Sequence, residues 1–232
     1  MSGAVQVDVA RRIGEDVAGK WADEVDREAR FPAETAAEMR AAGLLSALLP
    51  PAWGGPGAGL GEMAGAVSAI SEFCASSALV LAMHSIQVAC LVRHGSVAAL
   101  EALAPRLVAG DLLLANANSE IGLGGERRSS LCALEPVAGG FRLDKQASTV
   151  SYGEYADGIL ATARRAPESP PQEQVMAVCL PPDMTLEPSG EWDTLGLRGT
   201  CSRPGHLVAT VPPELVIGDY PTVFVRTALP VS

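Results

Sequence analysis

The sequence has no CxxC pair. Its five cysteines (Cys74, Cys90, Cys132, Cys179 and Cys201) are scattered, and its three histidines (His84, His94 and His206) form no cluster with them. A zinc site needs clustered ligands, so no metal is expected. Scattered thiols fit a reducing compartment better than a disulfide framework. No GxGxxG lies between a strand and a helix, which argues against a Rossmann dinucleotide turn. No serine occupies a GxSxG elbow, so Ser-His-Asp hydrolysis has no support. The amino terminus lacks a basic stretch followed by an apolar one, and no uninterrupted apolar run is long enough to span a bilayer. A cytoplasmic chain without a membrane span is therefore expected. Charge is also scarce: 19% of residues are charged and 48% are hydrophobic. So sparse a charged surface favours an oligomer or a partner chain. The net charge of −10 argues against non-specific nucleic-acid binding. It leaves room for an anionic ligand held by local backbone donors and arginines.

What is present changes character along the chain. Residues 4 to about 110 read as helices. Ile13, Val17, Trp21 and Val25 recur every four residues, the spacing of one helical face. Pro32 opens a helix near Ala33 to Ala42, where a missing N–H costs nothing, and Gly43 is a suitable left-handed cap. Residues 50–57 form a Pro/Gly loop. Two apolar helices follow near 60–74 and 76–94, the second capped by Ser76 or Ser77. A further helix over 97–109 is expected to break at Pro105. His84 and His94 lie ten residues apart on one helix and point in different directions, as core or rim residues do. After Asp111 short strand-like runs take over at 112–117, 131–134, 140–143, 158–163, 175–180 and 206–211. Helices followed by strands indicate two adjacent domains of an α+β protein, not alternating βαβ units. No internal repeat is evident.

The most specific segment is Trp192-Asp193-Thr194-Leu195-Gly196-Leu197-Arg198-Gly199-Thr200-Cys201-Ser202. Several shorter pieces precede it in a fixed order: Asp26 to Pro32, Ala42-Gly43-Leu44-Leu45, Pro51 to Gly57, Cys74 to Ala78, Met83-His84, Asn118-Ser119-Glu120 and Ala156-Asp157. Together they resemble the acyl-CoA dehydrogenase superfamily across essentially the whole chain. The resemblance implies an all-α domain over residues 1–111 and a small β-barrel over 112–218. It also implies a linker, 219–232, towards a carboxy-terminal helical bundle that this chain lacks.

The resemblance also implies FAD, lying between the β-domain and that bundle. Ser119 stands where the family has a hydroxyl before Glu, suited to the pyrimidine edge of the flavin, and the backbone N–H of Asn118 or Ser119 could serve likewise. Gly122-Leu123-Gly124-Gly125 matches a glycine-rich turn whose backbone can approach a pyrophosphate; a plain turn is the alternative for Gly124 and Gly125. Ser151 falls on the hydroxyl residue that contacts flavin N5. Thr149 falls where many members carry an aromatic ring, which a threonine cannot replace in stacking. Ordinary turn and β-propensity roles remain open for Ser119, Thr149 and Ser151. The family's usual lysine is replaced by Ala147, and Lys145 stands two residues earlier. The Trp192–Ser202 segment is a fold marker in which Arg198 is suited to pairing with a carboxylate.

The implied reaction is α,β-desaturation of an acyl-CoA or acyl-carrier-protein thioester in fatty acid metabolism, with electrons leaving to an electron-accepting flavoprotein. The family's base resides in the bundle, so no catalytic residue is assigned and turnover by this chain alone is not expected. Two alternatives stand beside it. One is a non-catalytic protein that binds flavin or acyl thioester, or completes a partner's site. The other is a flavin monooxygenase of the same fold, which Thr149 and Ala147 leave open.

Overall fold

Helices α1 (Gly3–Ile13) and α2 (Gly19–Glu28) form one rod, joined by a π-helical segment, Gly14–Ala18. The wider turn sits where the rod passes Phe73: a Cβ at Gly14 would stand 2.5 Å from that ring. The computed structural model describes residues 3–229 apart from 125 and 127. Helix α3 (Ala33–Ala41) leaves through Gly43 at φ +73°, the left-handed conformation anticipated there. Helix α4 (Leu60–Ser71) is capped by Glu62, whose carboxylate accepts the Gly59 N–H at 2.7 Å.

Helix α5 (Ala75–His94) is the centre of the helical part. Cys74 precedes it without a side-chain cap, and the Ser77 hydroxyl is buried without a partner, so the expected serine cap does not form. With a mean hydropathy of 1.7, α5 is long and apolar enough to cross a membrane, contrary to the sequence expectation, but 67% of that stretch is buried inside the fold. Helix α6 (Val97–Val108) runs through Pro105 unbroken. Pro105 lies on the exposed face while Leu103, Ala104 and Leu107 hold the buried one, and packing outweighs the single missing N–H.

The strands form two open sheets. The first contains β1 (Leu114–Ala117), β4 (Gly158–Arg164), β5 (Gln174–Cys179) and β8 (Val216–Ile217) in the order β1-β4-β5-β8, with only β1 and β4 parallel. The second contains β2 (Glu135–Val137), β3 (Gly140–Ala147), β6 (Met184–Pro188) and β7 (Gly205–Val211), all antiparallel, in the order β2-β3-β7-β6. The α+β class holds, but the expected β-barrel does not: the two sheets stay separate and neither closes. Their edges explain why. Strand β2 has three residues including Pro136, β6 ends at Pro188, and β8 has two residues after Pro212-Pro213. Short, proline-bearing edges cannot extend a hydrogen-bonded ladder.

Strands β4 and β5 are buried along both faces except Arg164, as expected of a central layer. Strand β1 packs on α5, and β5 packs on β7. The layers therefore run helices, first sheet, second sheet. His84 joins the first two: its Nε2 meets the Leu45 carbonyl at 2.8 Å, and its Nδ1 accepts the Leu114 N–H at 3.0 Å. Arg40 bridges to Asp157, which also accepts the Leu113 N–H at 2.8 Å. The end of the chain returns to α5. Helix α7 (Tyr220–Val223) continues into a π-helical turn, Phe224–Ala228, where the Thr227 hydroxyl meets His94 Nε2 at 2.7 Å. Residues 230–232 lie outside the described residues.

Candidate functional site

Strand β1 ends at Ala117 and delivers Asn118 and Ser119 beside the end of β3. The Ser119 hydroxyl donates to the Thr149 carbonyl at 3.3 Å, so these two predicted residues meet. The Asn118 carbonyl accepts from Thr162 Oγ1 at 3.3 Å, while its side-chain Oδ1 is buried without a partner. Thr149 is exposed and Ser151 half-buried. Ser151 accepts a hydrogen bond from Ser202 at 2.9 Å, and Ser202 lies 2.6 Å from Thr200 Oγ1. Thr200 Oγ1 also reaches the Leu197 carbonyl at 2.8 Å, so Ser151, Ser202 and Thr200 form one chain of hydroxyls.

Gly124 adopts φ +57° in an exposed turn, with nothing near the position of a Cβ. The turn closes partly on itself, the Glu126 N–H donating to the Leu123 carbonyl at 3.0 Å. Among the described residues no hydrogen bond joins Gly124 to the hydroxyls, and Gly125 lies outside the described residues. The Trp192–Ser202 segment is held as its composition suggested. Arg198 pairs with Asp193 at 2.6 Å and donates to the Asp26 carbonyl at 2.8 Å, tying the segment to α2.

Two features escape sequence reasoning. The first is a buried ion pair between Lys145 and Glu120, with side chains 0% and 4% exposed. Burial pushes the Glu120 carboxyl up, but the Lys145 ammonium together with hydrogen bonds from Lys145, Ser130 and Cys132 outweighs it and holds the group below the usual carboxylate range. Burial draws Lys145 below the ordinary lysine value, against the pull of Glu120 in the other direction. The signal in the sequence was a lone lysine at an inward position of β3.

The second is a cavity of about 410 Å³ between the turn containing Glu126 and Arg128, the start of β5 and the last helical turns, where Tyr220 and Phe224 line it. Gln174 lines it too. It is 1% exposed, and neither its Nε2 nor its Oε1 has a partner. A buried primary amide left unsatisfied costs on the order of 1–3 kcal/mol per group, and a ligand carrying both a donor and an acceptor would remove that cost.

A helical layer built round α5, followed by the two sheets, is an acyl-CoA dehydrogenase-like fold over its amino-terminal and middle parts. Residues 5–111 match the family model described as "Acyl-CoA dehydrogenase, N-terminal domain". A curated relative, the acryloyl-CoA reductase (NADH) of Anaerotignum propionicum, is 35% identical over 118 residues, covering 51% of this chain and 30% of the relative. The butyryl-CoA dehydrogenase of Megasphaera elsdenii superposes with a TM-score of 0.81 at 20% identity, over 94% of this chain and 58% of that one. The dibenzothiophene monooxygenase TdsC of Paenibacillus sp. A11-2 gives 0.74 at 23% identity, over 93% and 53%. The chain thus spans little more than half the length of these solved relatives, and matches about a third of the curated one.

Proposed function

We propose that the chain binds FAD and an acyl thioester. The observation that carries the thioester is Gln174: a buried amide with neither polar atom hydrogen-bonded, lining a cavity of about 410 Å³, the kind of group that an amide-bearing arm such as pantetheine would pair with. The flavin is supported by the hydroxyls at the ends of β1 and β3, by the orphaned Asn118 Oδ1, and by solved relatives described as an FAD complex of PigA and FMN-bound TdsC. FAD, when bound, supplies hydride or electron exchange at its ring. Ser151, a half-buried hydroxyl at the end of the Ser202–Thr200 chain, is suited to the ring; Ser119 and Asn118 are suited to its polar edge; the Gly122–Gly124 turn is suited to phosphate.

No reaction is assigned to this set. Glu120, the carboxylate nearest these hydroxyls in sequence, is committed to Lys145, Ser130 and the backbone N–H groups of Leu131 and Cys132. It therefore has no role as a base. Desaturation needs a base from elsewhere, and electrons would leave to an electron-accepting flavoprotein. An oligomer or partner chain is supported by exposed apolar side chains, Leu195 and Leu197 among them.

The test has two arms. The chain, mixed with FAD and freed of excess, should retain a structured flavin absorption band. Calorimetric titration with coenzyme A should then show binding that Gln174→Leu weakens at least about tenfold, or roughly 1.4 kcal/mol, without loss of FAD. A folded chain that retains no flavin would sink the first arm, and equal coenzyme A affinity in wild type and variant the second. One observation favours a monooxygenase as second reading: exposed Thr149 leaves no aromatic wall at its position. Oxygen consumption by the reduced flavoprotein without acyl thioester would support it.

A further inference from the structure

Strand β3 turns Leu143, Lys145 and Ala147 inward and Arg142, Asp144 and Gln146 outward. Lys145 uses its three N–H groups on Glu120 Oε1, on the Thr162 carbonyl at 2.8 Å and on Thr162 Oγ1 at 3.3 Å. Glu120 also accepts from the Ser130 hydroxyl, from the Leu131 N–H at 2.8 Å and from the Cys132 N–H at 3.0 Å. Thr162 Oγ1 in turn donates to the Asn118 carbonyl at 3.3 Å. Both neighbours of Ser119 are thereby fastened: Glu120 directly by the lysine, and Asn118 through Thr162.

A buried ion pair is a poor device for stability alone, because desolvation offsets its attraction and an apolar replacement often does as well. What this pair supplies is geometry at one short stretch of backbone. We propose that Lys145 is a positioning residue, acting through Glu120 and Thr162 to fix Asn118 and Ser119 in the orientation that receives the polar edge of the flavin. The inference rests on the flavin reading above. Lys145 itself touches neither ligand nor reacting atoms. Its three donors are spent inside the protein, so its effect on the cofactor passes through the two residues it anchors.

Lys145→Met alone strands a buried carboxylate and is a test of folding more than of position. The informative variants are the double Glu120→Gln/Lys145→Met, which removes both charges together, and Thr162→Val, which is isosteric and cuts the tie to Asn118 while sparing the pair. Two readouts are taken on the 232-residue chain: the FAD dissociation constant with the visible spectrum of the bound flavin, and amide hydrogen exchange over residues 118–120 in the flavin-free protein. The expected result is exchange at 118–120 about tenfold faster or more in both variants, with β5 unchanged. FAD binding should weaken about tenfold and its bands should lose resolved structure. Wild-type exchange at 118–120 in a folded variant overturns the positioning role, as does wild-type FAD affinity. Thr162→Val decides the matter if the double variant does not fold. A wild-type chain that binds no FAD overturns the flavin reading instead, and the exchange experiment still decides whether the pair holds this backbone.

Discussion

Lowering the pH from 6.5 to about 4 is expected to remove about 3 kcal/mol of stability through His84 alone. The imidazole is fully buried, and burial pushes its pKa down from 6.5 to about 4; the hydrogen bond to the Leu45 carbonyl and Asp157 pull the other way, and Arg40 adds to the lowering. The ring serves as a neutral bridge, giving its Nε2 proton to Leu45 and taking the Leu114 N–H on Nδ1. Protonation would place a second proton where Nδ1 must accept. The unfolded chain takes up that proton at about 6.5 and the folded chain resists it until about 4. The contribution is thus complete above 6.5 and disappears as the pH falls through the interval. Urea unfolding at pH 7.0 and 4.5 reads the loss. Replacement by glutamine, which offers one donor and one acceptor, should flatten the dependence. Half-buried His94 shifts in the same direction, burial being the main cause, so the comparison belongs in a His94→Gln background. Equal pH dependence with and without His84 would refute the assignment.

The second large effect is expected from one methyl group. A Cβ at Gly199 would stand 2.2 Å from Val25 Cγ1, 3.0 Å from the Arg30 carbonyl and 3.1 Å from Ser76 Cβ. This is where the Trp192–Ser202 segment lies on α2 and α5. Nothing flexible lines the gap, since Val25 is 1% exposed and the carbonyl is main chain. Gly199→Ala should therefore cost about 3 kcal/mol, at the upper end of overpacking. Val25→Ala in the same chain should return at least about 1 kcal/mol of it. Chemical denaturation of the two single variants and the double gives the coupling directly. Strict additivity would mean that the segment lifts away and the contact is not what holds it.

The helical half was readable because apolar residues at helical spacing, Pro32 and Gly43 act locally. The π-helical turn at Gly14 was not, because its companion Phe73 is remote in sequence. Nor was the survival of α6 through Pro105, which depends on what its other face packs against. Among the strands, β3, β4, β5 and β7 carried enough apolar residues to be seen. Strand β6 was missed because Met184-Thr185-Leu186-Glu187-Pro188 is a short edge with little to bury, and 131–134, expected as a strand, makes only a bridge from Ala133 to Arg164. The barrel was expected by resemblance and fails at edges whose pairing no local pattern fixes.

Of the predicted site residues, Ser119 and Thr149 meet, because both follow strands of fixed register, while Ser151 pairs with Ser202, which was not among them. The two-residue displacement of lysine, from the place of Ala147 to Lys145, looked like a loss. On a strand it keeps the side chain on the same face, so a buried lysine was available all along. Gln174 carried no signal, since an amide is remarkable only when its surroundings leave it unpaired.

The tie from Arg198 to Asp26 spans 172 residues, as does the contact of the Cys201 thiol with the Ala29 carbonyl. During synthesis the helices emerge first, yet this lock reaches them only 172 residues later. Strand β1 likewise waits for β4, and its parallel pairing cannot form by a simple hairpin. Until then α5 has no sheet to cover it and leaves an apolar face uncovered in the nascent chain. Non-local closure of this kind slows folding, and transiently open apolar surface invites association. The segment that seals the helices to the sheets therefore also sets the interval during which the growing polypeptide is most exposed to aggregation.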